Sequence, residues 1–313
     1  MLIPTDSGAT LDVEVYGDGE PLLLIAGMSA HREMWGDELL DALTPHFAVA
    51  TYDHRGIGGS SRAAGEFTIA DLADDARGVL DGLGWDTAHV LGTSMGGMVA
   101  QELVLSAPAR VRSVVLGCTT AGGPGAVDAP GARRLVEAIA GRDPARVART
   151  AFEVNLSPEF CSRPGEFERF TTWSTRRKVP SAVVAYQALA CAGHDTRDRL
   201  ASISTPTTVV HGDADEVIGV AEGEKLAAAI PGATLARCPG VGHMFWWERP
   251  GRPPRSSSAR RRPHPGNVRR SPGRHHRHRR RFPSRPPRMS GASCRTPPEA
   301  QTHHPASRPG SDC

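Results

Sequence analysis

Gly92-Thr93-Ser94-Met95-Gly96 follows a short apolar run, Ala88-His89-Val90-Leu91, and opens into Met98-Val99-Ala100-Gln101-Glu102-Leu103, which has the character of a helix. A strand that delivers a serine into a sharp turn flanked by glycines, with a helix leaving at once, lifts the hydroxyl out of the sheet edge and aims helix N–H groups at whatever it attacks. That arrangement is a nucleophile elbow. The pentapeptide alone carries little weight in a chain with 34 glycines among 313 residues, where G-x-S-x-G arises from composition; its strand and helix flanks carry the reading.

Two further strand ends supply what a serine needs. Thr208-Val209-Val210 reads as a buried strand ending in His211-Gly212-Asp213-Ala214-Asp215, and Thr234-Leu235-Ala236-Arg237 as a later one ending in Gly240-Val241-Gly242-His243. In an open α/β sheet the C-terminal strand ends share one edge, so Ser94, an acid and His243 converge there. A serine hydroxyl attacks a carbonyl only when a neighbouring base takes its proton, which His243 is suited to do. An acid orients that imidazole and stabilises it as it charges. Two preorganised N–H donors are needed for the oxyanion. Met95, next after the nucleophile, supplies one, and Met28, in the loop after the Pro21-Leu22-Leu23-Leu24-Ile25 strand, supplies the other.

Around these landmarks the chain alternates. Leu11 to Tyr16, Leu22 to Ile25, Phe47 to Tyr52, Ala88 to Leu91 and Val111 to Leu116 read as strands, separated by helix-length segments such as Ile69 to Leu83. This predicts an α/β fold with a mainly parallel sheet and helices on both faces. No strand is legible between Leu116 and Thr207, and a structureless loop of that length is improbable in a compact domain. Apolar spacing in Leu135-Val136-Ile139, Val147-Ala151-Phe152-Val154 and Val183-Val184-Tyr186-Leu189 predicts a helical cap over the serine. The expected organisation is core over residues 1–120, cap over 121–200, core again over 201–250 and a tail over 251–313. Trp35, Phe170 and Trp173 are the candidate substrate-binding residues, with packing inside the cap as the plainer role for the cap aromatics, Tyr186 included.

The order of these elements, the Tyr52-Asp53-His54-Arg55-Gly56-Ile57-Gly58-Gly59-Ser60 turn and the closing Gly242-His243-Met244-Phe245 resemble the α/β-hydrolase fold family, and within it the bacterial serine hydrolases akin to oxoadipate enol-lactonase and aclacinomycin-type methylesterases. The resemblance spans about residues 9 to 250. It implies Asp215 as the triad acid rather than Asp213 or Glu216, since relatives place the acid four residues past the position of His211. It also implies an acyl-enzyme or activated attack on a carbonyl, because sister dehalogenases and epoxide hydrolases use aspartate where Ser94 stands. Expected is a cofactor-independent, metal-free hydrolase of a small carboxylic ester or lactone. The alternatives are carbon–carbon bond hydrolysis of a dienone-type substrate by the same triad and a non-catalytic binding protein. One departure is Ala26, where many relatives carry histidine before the oxyanion-loop glycine. Of the seven histidines before residue 250, only His243 stands at the expected place; His31 and His194 are secondary candidates for the pocket and His211 for the core.

Charge divides the chain. The last 63 residues hold 16 Arg and 2 acidic residues, for +14, whereas residues 1–250 hold 21 basic and 32 acidic residues, for −11. With 12 Pro and neither Leu nor Ile, the tail cannot bury enough apolar surface to offset chain entropy, and it reads as disordered. Its Arg-rich run would attract nucleic acid, but Phe282 is its only aromatic side chain besides histidine, so stacking platforms are missing. An out-of-frame product of a GC-rich gene is the preferred account, the more so because relatives continue past Pro250 with an amphipathic helix that is not legible here. The six cysteines show no C-x-x-C pairing, and Met1-Leu2-Ile3-Pro4-Thr5-Asp6 lacks the features of an export signal, so buried thiols and a cytoplasmic location are expected.

Overall fold

A computed structural model describes residues 1–123 and 129–250. The tail reading over 251–313 and residues 124–128 of the expected cap span therefore lie outside the described residues.

Among the described residues eight strands form one sheet: β1 (Leu2–Pro4), β2 (Thr10–Tyr16), β3 (Glu20–Ile25), β4 (Phe47–Tyr52), β5 (Ala88–Thr93), β6 (Val111–Gly117), β7 (Thr207–Gly212) and β8 (Thr234–Cys238). Their spatial order is β1-β2-β4-β3-β5-β6-β7-β8. β1 and β2 pair antiparallel, as do β2 and β4; every later pairing is parallel. The helices around the sheet are α1 (Asp37–Leu43), α2 (Ile69–Gly82), α3 (Met95–Ser106), α9 (Val220–Ala229) and α10 (Phe245–Glu248).

The two-residue period of the strands sorts the core onto two faces. Leu23 and Ile25 of β3, Ala50 and Tyr52 of β4 and Val114 and Leu116 of β6 join a cluster with Leu72 and Val79 of α2, Val99 and Leu103 of α3 and Leu226 of α9. Leu22, Leu24 and Val49 point the other way, with Trp35 and the α1 residues Leu39, Leu40 and Leu43. A sheet covered on both sides needs apolar residues at nearly every strand position, which is why these strands were legible as continuous runs. At about 25 cal/mol per Å² each fully buried leucine contributes roughly 2 kcal/mol. Helix α2 begins where Thr68 and Asp71 form a reciprocal capping box, so local chemistry fixes its first turn.

Between β6 and β7 lie α4 (Pro130–Ala140), α5 (Pro144–Asn155), α6 (Pro158–Cys161), α7 (Glu166–Ser174) and α8 (Ser181–Ala192). Phe152, Leu156, Phe160 and Phe170 from these helices share a cluster with Met34, Met244 and Trp247 from the sheet-bearing part of the chain. Ion pairs reinforce that contact. Arg177 reaches Glu33 at 2.5 Å, Asp12 at 2.9 Å and Asp53 at 3.3 Å. Among the described residues no helix is long and apolar enough to cross a membrane.

Candidate active site

Ser94 has φ 55° and ψ −123° between the end of β5 and the first turn of α3, an unusual backbone for a residue with a side chain. Such a conformation costs on the order of 1–3 kcal/mol and persists because its surroundings over-determine it. The Ser94 N–H donates to the Gly117 carbonyl at 2.9 Å, and the Ser94 carbonyl accepts from Gly97 N–H at 2.9 Å and Thr119 Oγ1 at 2.7 Å. Glycines make the approach possible: a Cβ on Gly96 would collide with the Ile25 carbonyl, and one on Gly92 with the Gly96 carbonyl.

Asp215 and His243 come from the loops after β7 and β8. His243 Nδ1 donates to Asp215 Oδ2 at 2.7 Å, and both side chains are almost wholly buried. The other carboxylate oxygen, Oδ1, accepts the Val217 and Ile218 N–H groups at 2.8 and 2.9 Å, so the acid is clamped by its own loop. His211, also buried, donates from Nε2 to the Ile218 carbonyl at 2.8 Å and lies 3.2 Å from Oδ2. Burial alone would raise the Asp215 carboxyl, but the His243 and His211 rings hold it well below the usual range. For His243 burial opposes the charged ring; the adjacent Asp215 carboxylate outweighs it and holds the imidazole well above its ordinary value. Asp213 instead receives the Gly240 N–H at 2.6 Å and serves its turn.

Ser94 and His243 border a cavity of about 550 Å³, a size typical of small-molecule sites. Its walls include Met28, Met34, Trp35, Leu135, Val147, Phe170 and Trp246. No hydrogen bond joins Ser94 Oγ to a described residue, a frequent state of catalytic hydroxyls before substrate binds. The Met28 and Met95 N–H groups likewise have no acceptor among the described residues. An oxyanion requires two such unspent donors. Gly27 adds room there, since a Cβ on it would lie 3.1 Å from Ser94 Cβ.

Trp35 and Phe170 stand in the cavity wall, whereas Trp173 lies outside it, with the Arg176 guanidinium 3.6 Å from its ring centroid. His31 and His194 are buried away from the wall. His31 bonds through Nε2 to the Trp173 carbonyl at 3.0 Å. Among the described residues neither nitrogen of His194 has a hydrogen-bond partner, and burial pushes its pKa down to about 4. Tyr186 packs edge-on against Phe67.

Several supports were not foreseen. Gln187 of α8, fully buried, accepts the Ser29 N–H at 2.8 Å, and Ser29 has φ 57° in the turn that carries Met28. At the departure noted for Ala26, its carbonyl accepts from His54 Nε2 at 3.0 Å. Cys118, buried and at φ 42°, sets its thiol against the His243 ring, and burial pushes that thiol above its ordinary value. Gln187 carries no motif; its role depends on a contact 158 residues away in the chain.

Comparison with known proteins agrees with this architecture. A family model described as alpha/beta hydrolase fold matches residues 20–250. The 3-oxoadipate enol-lactonase 1 of Acinetobacter baylyi is 30% identical over 226 residues, covering 72% of this chain and 83% of that protein. Rhodomycin D methylesterase of Streptomyces peucetius is 40% identical over 119 residues, a shorter match covering 36% of this chain and 40% of that enzyme. Among solved structures, a hydrolase from Pseudomonas aeruginosa superposes with a TM-score of 0.69 at 34% identity, covering 80% of this chain and 93% of its own. A glycine-flanked serine at a strand-to-helix turn, a mostly parallel eight-stranded sheet and a family match running from β3 to the end of the described chain have one reading: the protein is a hydrolase belonging to the α/β-hydrolase fold family.

Proposed function

We propose that this hydrolase cleaves a small carboxylic ester or lactone through Ser94, His243 and Asp215. The observation that carries the proposal is the coincidence, at one cavity, of a strained serine and a histidine bonded to a clamped carboxylate, with the N–H groups of Met95, next to that serine, and of Met28, in the cavity wall, lacking acceptors among the described residues. In this reading Ser94 Oγ attacks the carbonyl carbon as His243 Nε2 removes its proton, and the Met28 and Met95 N–H groups receive the developing oxyanion. The imidazolium then gives the proton to the leaving oxygen. Water, deprotonated in turn by His243, attacks the acyl-enzyme and releases the acid and free Ser94. In a lactone the leaving oxygen stays tethered, so one ring-opened product results. Asp215 keeps the proton on Nδ1, which leaves Nε2 free to act as base. The names of the enol-lactonase and methylesterase relatives favour ester and lactone carbonyls.

The test is a screen of p-nitrophenyl esters of graded chain length and small lactones, paired with fluorophosphonate labelling. Wild-type protein should turn over at least one class and take up the label at Ser94, and Ser94→Ala should do neither while remaining folded. Labelling at another residue, or turnover surviving in Ser94→Ala, would remove Ser94 from the mechanism.

A further inference from the structure

The loop after β8 that presents His243 meets the junction of α5 and α6 along Asn155, Leu156 and Ser157. Met244, next after the histidine, donates its N–H to the Asn155 carbonyl at 2.8 Å. Gly242, next before it, donates its N–H to Glu248 Oε1 at 2.8 Å. The same oxygen accepts the Ser157 N–H at 2.7 Å, and Oε2 accepts the Ser157 hydroxyl at 2.6 Å. Ser157 is buried and caps α6, its Oγ accepting the Phe160 N–H at 3.2 Å. One carboxylate, which can accept several donors at once, thus holds two segments that lie far apart in the chain. Their approach is close enough to need glycine, because a Cβ on Gly242 would lie 2.8 Å from the Ser157 nitrogen. Glu248 itself is firmly based, since Trp246 and Trp247 of the same short helix donate from Nε1 to the Met34 carbonyl at 3.3 and 2.9 Å.

We infer that Glu248 is a positioning residue for His243, latching the α5–α6 junction to the histidine loop so that the inserted helices set the place of the base as well as the wall of the cavity. This rests on the reading of His243 as the general base. Glu248, Ser157 and Gly242 stand outside the cavity wall, so they act on the reaction through His243 and not by touching substrate. Val147, Ala151 and Asn155 of α5 do line it, so the helix that meets the substrate is the one latched to the base. The bond from His243 Nδ1 to Asp215 Oδ2, at 2.7 Å, depends on where the backbone on each side of the histidine is held. Asp215 is clamped by its own loop, whereas the two N–H ties that flank His243 run to Glu248 and Asn155. Without the carboxylate, the Gly242 N–H, the Ser157 N–H and the Ser157 hydroxyl lose their acceptor together, and one side of His243 is released.

The test measures kcat and KM separately on the best p-nitrophenyl ester, with circular dichroism as the control for folding. A displacement of about 1 Å in a catalytic group costs on the order of 10²-fold, so Glu248→Ala should lower kcat by about that factor and leave KM within about twofold. Glu248→Gln should stay within about fivefold of wild type, because its amide oxygen still accepts the Gly242 and Ser157 N–H groups. Ser157→Ala removes one of the three bonds from the far side of the latch and should lower kcat about fivefold at unchanged KM. The proton shared by His243 Nδ1 and Asp215 Oδ2 gives a readout without turnover: its low-field NMR signal should be lost to exchange in Glu248→Ala and kept in Glu248→Gln. Folded Glu248→Ala with wild-type kcat, or with an unchanged low-field signal, would overturn the inference. Should Glu248→Ala fail to fold, Ser157→Ala decides, and wild-type kcat in that variant would overturn it equally. A loss confined to KM would make Glu248 a residue that shapes the cavity. If His243→Ala retains turnover, the reading of His243 as the base fails instead, and the NMR comparison alone decides whether Glu248 places the ring.

Discussion

Replacing Asp215 by asparagine should be far more damaging to turnover than the loss of one charge suggests, because the loop leaves the amide only one orientation. Oδ1 accepts two backbone N–H groups, from Val217 and Ile218, at 2.8 and 2.9 Å. An asparagine NH₂ turned toward them would set donor against donor at two buried sites, each leaving an unsatisfied group at about 1–3 kcal/mol. The amide oxygen therefore stays on the loop, and the NH₂ faces His243 Nδ1, where the carboxylate now accepts at 2.7 Å. Facing a donor, Nδ1 must accept, so the ring proton moves to Nε2. A ring protonated on Nε2 cannot take the proton of Ser94.

A wrong tautomer in a triad lowers kcat about 10⁴-fold, equivalent to about 5 kcal/mol of transition-state stabilisation. The assay is kcat on the best p-nitrophenyl ester at pH 8, with thermal unfolding as the control for folding. Asp213→Asn is the matched comparison, since among the described residues the Asp213 side chain accepts the Gly240 N–H alone and an amide oxygen does the same; it should retain most of wild-type turnover. More than about one hundredth of wild-type activity in folded Asp215→Asn would refute the argument from the clamped oxygen. Loss in Asp213→Asn with Asp215→Asn intact would move the acid to the neighbouring residue.

Three further outcomes are expected. Because the Asp215 carboxylate raises the His243 ring above 6.5, the protonated, inactive ring persists to higher pH, so the acid limb of kcat/KM should have its midpoint above 6.5; a midpoint below that value would contradict the pairing. Burial holds His194 at about 4, so between 6.5 and 4 the unfolded chain takes up a proton that the folded chain refuses, and stability present above 6.5 falls by about 3 kcal/mol across that window; urea unfolding of His194→Gln should lose this component, and an unchanged slope would argue that His194 is charged when folded. Gln187→Met keeps side-chain length but removes the acceptor for the Ser29 N–H at 2.8 Å, so kcat should fall about tenfold with KM little changed if this turn sets an oxyanion donor; a change in KM alone would make Gln187 a packing residue.

Legibility in the sequence followed burial. The parallel strands β3 to β7 lie between two covered faces, and their apolar runs, with glycines at the turns, made their order readable. Edge elements were less visible: β1 is three residues long with only Ile3 buried, and α1 has seven residues, none of them buried. The positions of Ser94, Asp215 and His243 were readable because the end of a strand is a local signal. Side-chain direction in the cap is not local. Phe170 and Trp173 are three residues apart on α7, yet Phe170 joins the wall and packs with Phe152 and Trp247, while Trp173 is covered by Arg176. That division is settled by residues from α5, α10 and the segment after α7, which no single stretch of sequence brings together.

The same long-range dependence explains why two serines sit at positive φ within one site. Ser94 at 55° and Ser29 at 57° would each relax if their neighbours released them. For Ser94 the restraint is the sheet itself, through Gly117 and Thr119 at the end of β6. Ser29 is restrained by Gln187, on a helix inserted between β6 and β7, while His54 fixes the Ala26 carbonyl three residues earlier. Sheet and inserted helices thus restrain the two turns that carry Met95 and Met28. Displacing α8 would release the Ser29 turn and leave the Ser94 elbow intact, so substitutions in α8 that loosen its packing should lower acylation rates before they expose the nucleophile. Fluorophosphonate labelling separates the two effects. A slower labelling rate in a destabilised-α8 variant such as Val183→Ala, measured well below its melting temperature, would place the loss at the oxyanion turn, whereas faster labelling would mean that α8 only restricts access to Ser94.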